Sequence, residues 1–360
     1  MPVEGDILDL LQQKVAQMAR EMQRAVILQP GAIGDCILTL PLAKFMKDNL
    51  QLGGVDILGH TEYTGILPGR TCIDGICSMD SMDLHRLFAE PNMFDLADRD
   101  PLINVFNDYA WIVTFLGEPN GNFEQNLIFT ANCSHSAEVI TLSMKPPEGF
   151  CRHLTEFYTQ QFKDQSGFSF HREASLTGES STARFSDILI TATEADRDRG
   201  KEILEEIDFD FSKKLIIIHP GSGGLNKCWH LDNFLAVAEQ ARSKGIEVIF
   251  LLGPAELDRF TKTRIQDIKN VAKCLVDLSL TQVVGLLSCT DGFVGNDSGV
   301  THLAGGLGIR TLAIFGPTNP AVYKPIGPAV TVFENKSAAF AEEPSTHLQQ
   351  ELLATLLPLG

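Results

Sequence analysis

The sequence predicts an α/β fold made of doubly wound, mostly parallel sheets, and three observations carry that expectation. Short apolar runs such as residues 25–28 and 214–219 alternate with segments whose apolar residues recur at three- and four-residue steps, which is the grammar of βαβ units. Loops rich in glycine, or carrying Asp and Asn, follow several of these runs, at the sheet edge where such folds bind ligands. The chain's 360 residues, 44% hydrophobic and 21% charged, are enough for two globular domains with a core each.

The elements follow in order. Residues 1–22 are predicted as an N-terminal amphipathic helix, with Ile7, Leu10, Leu11, Val15, Met18 and Met22 on one face, docked on the body of the protein or on a partner. The segment has no basic n-region before an apolar core, so it does not read as a signal peptide. A strand at 25–28 leads through Pro30-Gly31 into a helix carrying Ile37, Leu38, Leu42, Phe45 and Met46 on one side. Residues 55–58 and 111–115 are further strands, and a helix stands near 152–163. Between 116 and 190, clusters of Gly, Pro, Asn and Ser obscure the pattern, and the domain linker is placed near 170–192.

The second half is more regular. Helix 194–207 precedes strand 214–219; helix 231–244, with Asp232 as its cap, precedes a strand ending at Gly253. A helix near 255–270, a helix over 281–289, strand 292–295, a helix from Ser298 and strand 310–315 complete the pattern. The expected domains are residues 23–185 and 186–340, followed by a C-terminal helix within 341–360 for which a return to the first domain is one arrangement.

Charge and cysteines narrow the function. A net charge of −17 disfavours nucleic acid or an anionic membrane patch as the main ligand. The eight cysteines form no C-x-x-C and no zinc-ligand spacing, which fits a reducing cytoplasm. No run approaches the ~20 apolar residues that span a bilayer.

Three segments carry chemistry. In residues 293–320 a strand ends at Asn296-Asp297 and a helix begins at Ser298-Gly299. Unpaired amides and partial positive charge make a helix start a phosphate site, and glycine lets the backbone come close to an anion; Asp297 would be repelled by phosphate and would hold sugar hydroxyls instead. The plain alternative is that Asp297 or Ser298 only caps the helix. His302, one turn on, is either a ligand contact or a core histidine. In residues 219–234 a glycine loop containing Gly221, Ser222 and Gly223 precedes Lys227, whose ammonium can neutralise diphosphate oxygens; a plain glycine turn with a solvated lysine is the alternative, and Trp229 is expected to pack beneath the loop. The spacing is not that of a Walker motif. Residues 31–35, Gly31-Ala-Ile-Gly34-Asp35, open the first helix. Their glycines lack the G-x-G-x-x-G spacing of a dinucleotide loop, and Asp35 is either a cap or a carboxylate that acts as a general base.

Taken together, the PGAIGD, HPGSGG…K-x-W…F and VGNDSGVTHLAGGLG…TLAIFGPTNP segments resemble glycosyltransferase family 9, the ADP-heptose:lipopolysaccharide heptosyltransferases and their relatives, over about residues 24–330. The resemblance implies a GT-B architecture, in which two Rossmann-like domains face a central cleft, with acceptor on the N-terminal domain and nucleotide sugar on the C-terminal one. It implies that Asp35 is the general base and that Lys227 stabilises the leaving diphosphate. Asp297 would contact the donor sugar, Ser298 and Gly299 would offer amides to the phosphates, and Glu256 would meet the donor ribose. Gly34, Gly221, Ser222, Gly223 and His302 complete the expected substrate contacts. It further implies inversion without a metal or other cofactor beyond the ADP-sugar itself.

The partners expected are a nucleotide-sugar donor and a glycan or lipid-linked glycan acceptor, with no nucleic acid. A cytoplasmic location is expected, with peripheral contact at the inner face of the membrane as an option. The acidic charge and the lack of a basic cluster over residues 60–165 support sugar transfer better than transfer to an anionic lipopolysaccharide. Two other readings stay open: a sugar-nucleotide epimerase of the same fold, and a non-catalytic sugar-nucleotide-binding protein.

Overall fold

The computed structural model describes residues 23–167 and 186–356; the helix expected over residues 1–22 and most of the expected linker lie outside the described residues. The chain divides into two compact units. The first takes residues 23–32, 39–150 and 154–167, and the second takes 33–38, 151–153 and 186–356.

The first unit is built on a five-stranded parallel sheet, ordered β3-β2-β1-β4-β5. Its strands are β1 (Arg24–Gln29), β2 (Gly54–Gly59), β3 (Gly75–Ser78), β4 (Tyr109–Thr114) and β5 (Glu138–Thr141). The apolar run Ala25 to Leu28 is fully buried, as expected of a strand covered on both faces. Val26, Leu28 and Ile112 pack with Phe106 and Phe123, each such side chain contributing roughly 1.5–3 kcal/mol of burial. Helices α1 (Ile33–Leu50) and α2 (Asn122–Asn132) belong to the crossovers of this sheet and α3 (Leu154–Gln165) follows its last strand in sequence, β5, while the first turn of α1 groups with the second unit.

The second unit carries a six-stranded parallel sheet, ordered β11-β10-β9-β6-β7-β8. Its strands are β6 (Leu215–His219), β7 (Glu247–Leu252), β8 (Lys273–Val276), β9 (Gly292–Asn296), β10 (Thr311–Phe315) and β11 (Val330–Glu334). The chain winds outward from β6 through β7 and β8, returns to β9 on the other side of β6, and then winds outward again. The order therefore reverses between β6 and β9, and the loops that follow these two strands leave the sheet side by side, which is where open α/β sheets bind ligands.

The longer helices of this unit are α4 (Glu194–Glu206), α5 (Leu231–Ser243), α6 (Pro254–Arg259), α7 (Lys262–Val271), α8 (Leu280–Ser288), α9 (Gly299–Gly306) and α10 (Thr346–Leu356). Three details differ from the sequence expectation. The single helix expected near 255–270 is two, because Thr261 caps a new start by accepting from the Arg264 amide at 3.3 Å. The cap of α5 is His230, whose ring accepts from the Asp232 amide at 3.3 Å, while Asp232 itself pairs with Arg264. The C-terminal helix α10 buries Leu348, Leu352 and Leu356, spaced four apart, in the second unit's own core beside Phe234 and Ile314.

Candidate active site at the strand reversal

The loop after β6 is fixed from several directions. Asn296, the last residue of β9, accepts from the Trp229 amide at 2.9 Å and donates to the Pro220 carbonyl at 2.7 Å. Ser222 Oγ donates to the Asp297 carbonyl at 2.5 Å, so the two strand-end loops are stitched together. Trp229 is buried and packs edge to face on Phe234, with ring centroids 5.2 Å apart. Arg259, at the end of α6, donates to the Ser222 carbonyl at 2.5 Å and the Gly223 carbonyl at 2.9 Å. Asn226, Cys228 and Trp229 line a cavity of about 800 Å³ with Pro220, Pro317 and Phe340.

Gly221 is fixed by its neighbour. A Cβ there would stand 1.8 Å from Glu256 Oε1, so no larger residue fits while Glu256 keeps its place. Glu256 Oε2 accepts from the Gly253 amide at 2.8 Å, closing the first turn of α6, and lies 3.7 Å from His219 Nε2. His219 Nδ1 accepts from the Gly221 amide at 3.2 Å. Burial lowers the His219 pKa, with the Glu256 charge opposing it more weakly. The ring is therefore neutral, with its proton on Nε2 toward Glu256.

Asp297 is the charge centre. Its Oδ2 is met by Lys227 Nζ at 2.9 Å and by Thr318 Oγ1, which donates at 2.9 Å. His302 Nε2 faces Oδ1 at 3.8 Å, beyond hydrogen-bond length. Burial pushes the Asp297 pKa up, but His302 and then Lys227 outweigh it and bring it down to about 2. The carboxylate is thus ionised and buried, while the Lys227 side chain is 36% exposed and faces both Asp297 and solvent.

The helix start at Ser298-Gly299 is more occupied than the sequence suggests. Ser298 caps α9, accepting from the Thr301 amide at 3.4 Å and meeting Thr301 Oγ1 at 2.9 Å. A Cβ on Gly299 would lie 2.1 Å from Ile33 Cγ2, and one on Gly34 would lie 3.3 Å from His302 Cδ2 and 3.5 Å from Gly299 Cα. The small residue at 299 therefore admits the start of α1, and two helix N-termini, each partially positive, meet in the second unit. Asp35 lies in that first turn of α1 and is half-buried. Beside them His153 is buried, with Nε2 2.8 Å from the Lys324 carbonyl, and burial lowers its pKa to about 4.

The structure thus gathers Gly221, Ser222, Lys227, Asp297, Ser298 and Gly299 at the strand reversal, and brings Gly34 to His302. Sequence reasoning missed Asn296, Thr318 and Arg259. Asn296 and Thr318 stand inside motifs already marked, whereas Arg259 acts on a loop 36 residues away and leaves no local signal. Among the described residues, no group of three or more metal-ligating side chains gathers, and no helix is long and apolar enough to cross a membrane.

Comparison with known proteins places this geometry. Residues 180–352 match the model of glycosyltransferase family 9 (heptosyltransferase). The chain is 29% identical over 153 residues to the lipopolysaccharide core heptosyltransferase OpsX of Haemophilus influenzae, a match that spans 39% of this chain and 42% of that relative. It is 23% identical over 307 residues to lipopolysaccharide heptosyltransferase 3 of Escherichia coli, covering 81% of this chain and 83% of the relative. The structure of the E. coli ADP-heptose lipopolysaccharide heptosyltransferase II superposes with a TM-score of 0.65 at 14% identity, over 93% of this chain and 99% of that one, which identifies the fold as GT-B. Two Rossmann-like units and these sequence likenesses make the chain a glycosyltransferase similar to the family 9 heptosyltransferases.

Proposed function

We propose that the protein transfers a heptose from ADP-heptose, with inversion and without a metal, to a hydroxyl of a lipopolysaccharide-type acceptor. One observation carries the reading: at the strand reversal, a partly exposed lysine is held beside an ionised, buried aspartate and a loop with open amides. Diphosphate oxygens need such a cation and such amides as charge builds on the leaving group. Lys227 then fills the role a metal would take.

In the reaction the acceptor oxygen attacks the anomeric carbon from the face opposite the diphosphate. The bond from that carbon to the diphosphate oxygen breaks, its electron pair leaves with ADP, and the acceptor proton passes to Asp35. Asp297 holds Lys227 in reserve and meets the sugar hydroxyls; Ser298, Gly299 and His302 border the phosphates. Glu256 contacts the ribose from the start of α6. The names of the relatives support heptose as the sugar and lipopolysaccharide as the acceptor class, and a lipid-linked acceptor would bring the enzyme to the inner face of the cytoplasmic membrane.

The test is a binding panel of ADP, UDP, GDP and NAD, followed by donor turnover in the wild type, Asp35→Ala and Lys227→Ala. ADP is the expected preference. Asp35→Ala should bind ADP like the wild type and lose roughly 10²- to 10⁴-fold in transfer rate, the range for a general base. Transfer at the wild-type rate in that variant would sink the mechanism.

A further inference from the structure

We infer that Arg259 is the positioning residue that aims the amides of the β6 loop at the donor diphosphate. The inference rests on the donor reading above and adds to it the residue that sets the loop's geometry. Gly221, Gly223 and Gly224 leave this loop with little conformational preference of its own. Yet every carbonyl from Pro220 to Gly224 has a donor within the protein. Asn296 reaches Pro220 at 2.7 Å and Gly221 at 3.5 Å. Arg259 takes Ser222 and Gly223 at 2.5 and 2.9 Å, and the Lys227 amide takes Gly224 at 3.1 Å.

The amides behave differently. No hydrogen bond to a protein acceptor engages Gly223 N–H or Gly224 N–H among the described residues, and no atom lies within 4 Å of where a Gly223 Cβ would stand. The peptides of the described residues are trans, so each N–H points opposite to the carbonyl of the same peptide plane. By drawing the carbonyls of 222 and 223 to one side, Arg259 turns the amides of 223 and 224 to the other. Two successive amides without protein acceptors are donors left for an anion, and Lys227 follows three residues later. The planar fork of arginine suits two adjacent carbonyls in a way a lysine ammonium does not.

The experiment titrates ADP and adenosine into the wild type, Arg259→Ala, Arg259→Lys and Lys227→Ala. Arg259→Ala should weaken ADP about tenfold, equivalent to about 1.4 kcal/mol, and leave adenosine unchanged. Arg259→Lys should fall between, and millimolar guanidinium should restore ADP binding to Arg259→Ala, with an equal concentration of sodium chloride having no such effect. If Arg259→Ala does not fold, Arg259→Lys carries the same test. Wild-type ADP affinity in both Arg259 variants, with a loss in Lys227→Ala, would overturn the positioning role while leaving the donor site standing. Equal losses of ADP and adenosine would make Arg259 a structural staple only. No change in any variant, Lys227→Ala included, would remove the donor reading itself.

Discussion

Two glycine-bearing loops leave the second sheet side by side, and they use their glycines for opposite ends. After β6, Gly223 opens onto empty space and its amide is unengaged. After β9, the place of a Gly299 side chain is filled by Ile33, and the Ser298 hydroxyl is spent on capping α9. The first loop keeps room for something that is not protein; the second gives its room to the start of α1. A glycine next to a helix start is thus a sign of close approach, and only the surroundings say whether a ligand or another segment approaches.

The largest effect that bears on this contrast is catalytic, the loss of transfer in Asp35→Ala. That loss would show that the segment admitted by Gly299 brings chemistry to the site rather than packing alone.

Acid titration comes next. His153 has a pKa of about 4 in the fold against 6.5 ordinarily. The unfolded chain therefore takes up the proton first, and the contribution is complete above pH ~6.5 and is lost as pH falls toward ~4, about 3 kcal/mol in all. Asp297, held at about 2, adds about 2 kcal/mol that is lost below pH ~4 by the same sign of linkage. Urea unfolding from pH 7 to 4 should show the first decline, and His153→Gln should flatten it. An unchanged slope would remove His153 from the account.

Stability and binding should then separate the two glycines. Gly299→Ala should cost roughly 1–3 kcal/mol, the range for overpacking, read as a lower Tm. Gly223→Ala should leave Tm unchanged and weaken ADP. A pattern in which both variants lose only stability would erase the contrast between the loops.

The smallest effect is at Thr318, whose hydroxyl donates to the same Asp297 oxygen as Lys227. Thr318→Val should weaken ADP by less than about tenfold, under about 1.4 kcal/mol, because the lost bond is to Asp297 rather than to ADP and Lys227 still pairs with Asp297. A larger loss than in Lys227→Ala would reverse their order of importance.

Much of this unit was legible because central strands of a parallel sheet are continuous apolar runs; β6, β7, β9 and β10 all read that way. The edge strands were harder. In β3 the four residues GICS are only half-buried, and in β8 Lys273 and Val276 are exposed, so neither carries a run or a clean alternation. Lys227 and Asp297 were legible as residue types at strand ends, but their pairing across 70 residues depends on the strand order, which places β9 beside β6. Arg259 was not legible at all, since its partners are backbone carbonyls, which have no residue identity to read.

The most direct test of the central claim, that the β6 loop and Lys227 hold the donor diphosphate, is an ADP titration of the wild type against Lys227→Ala. Removing a charged partner of the diphosphate should weaken ADP by roughly 10- to 100-fold, in line with about 1.5–3 kcal/mol for a charge-assisted bond. Equal affinity in the two proteins would contradict it.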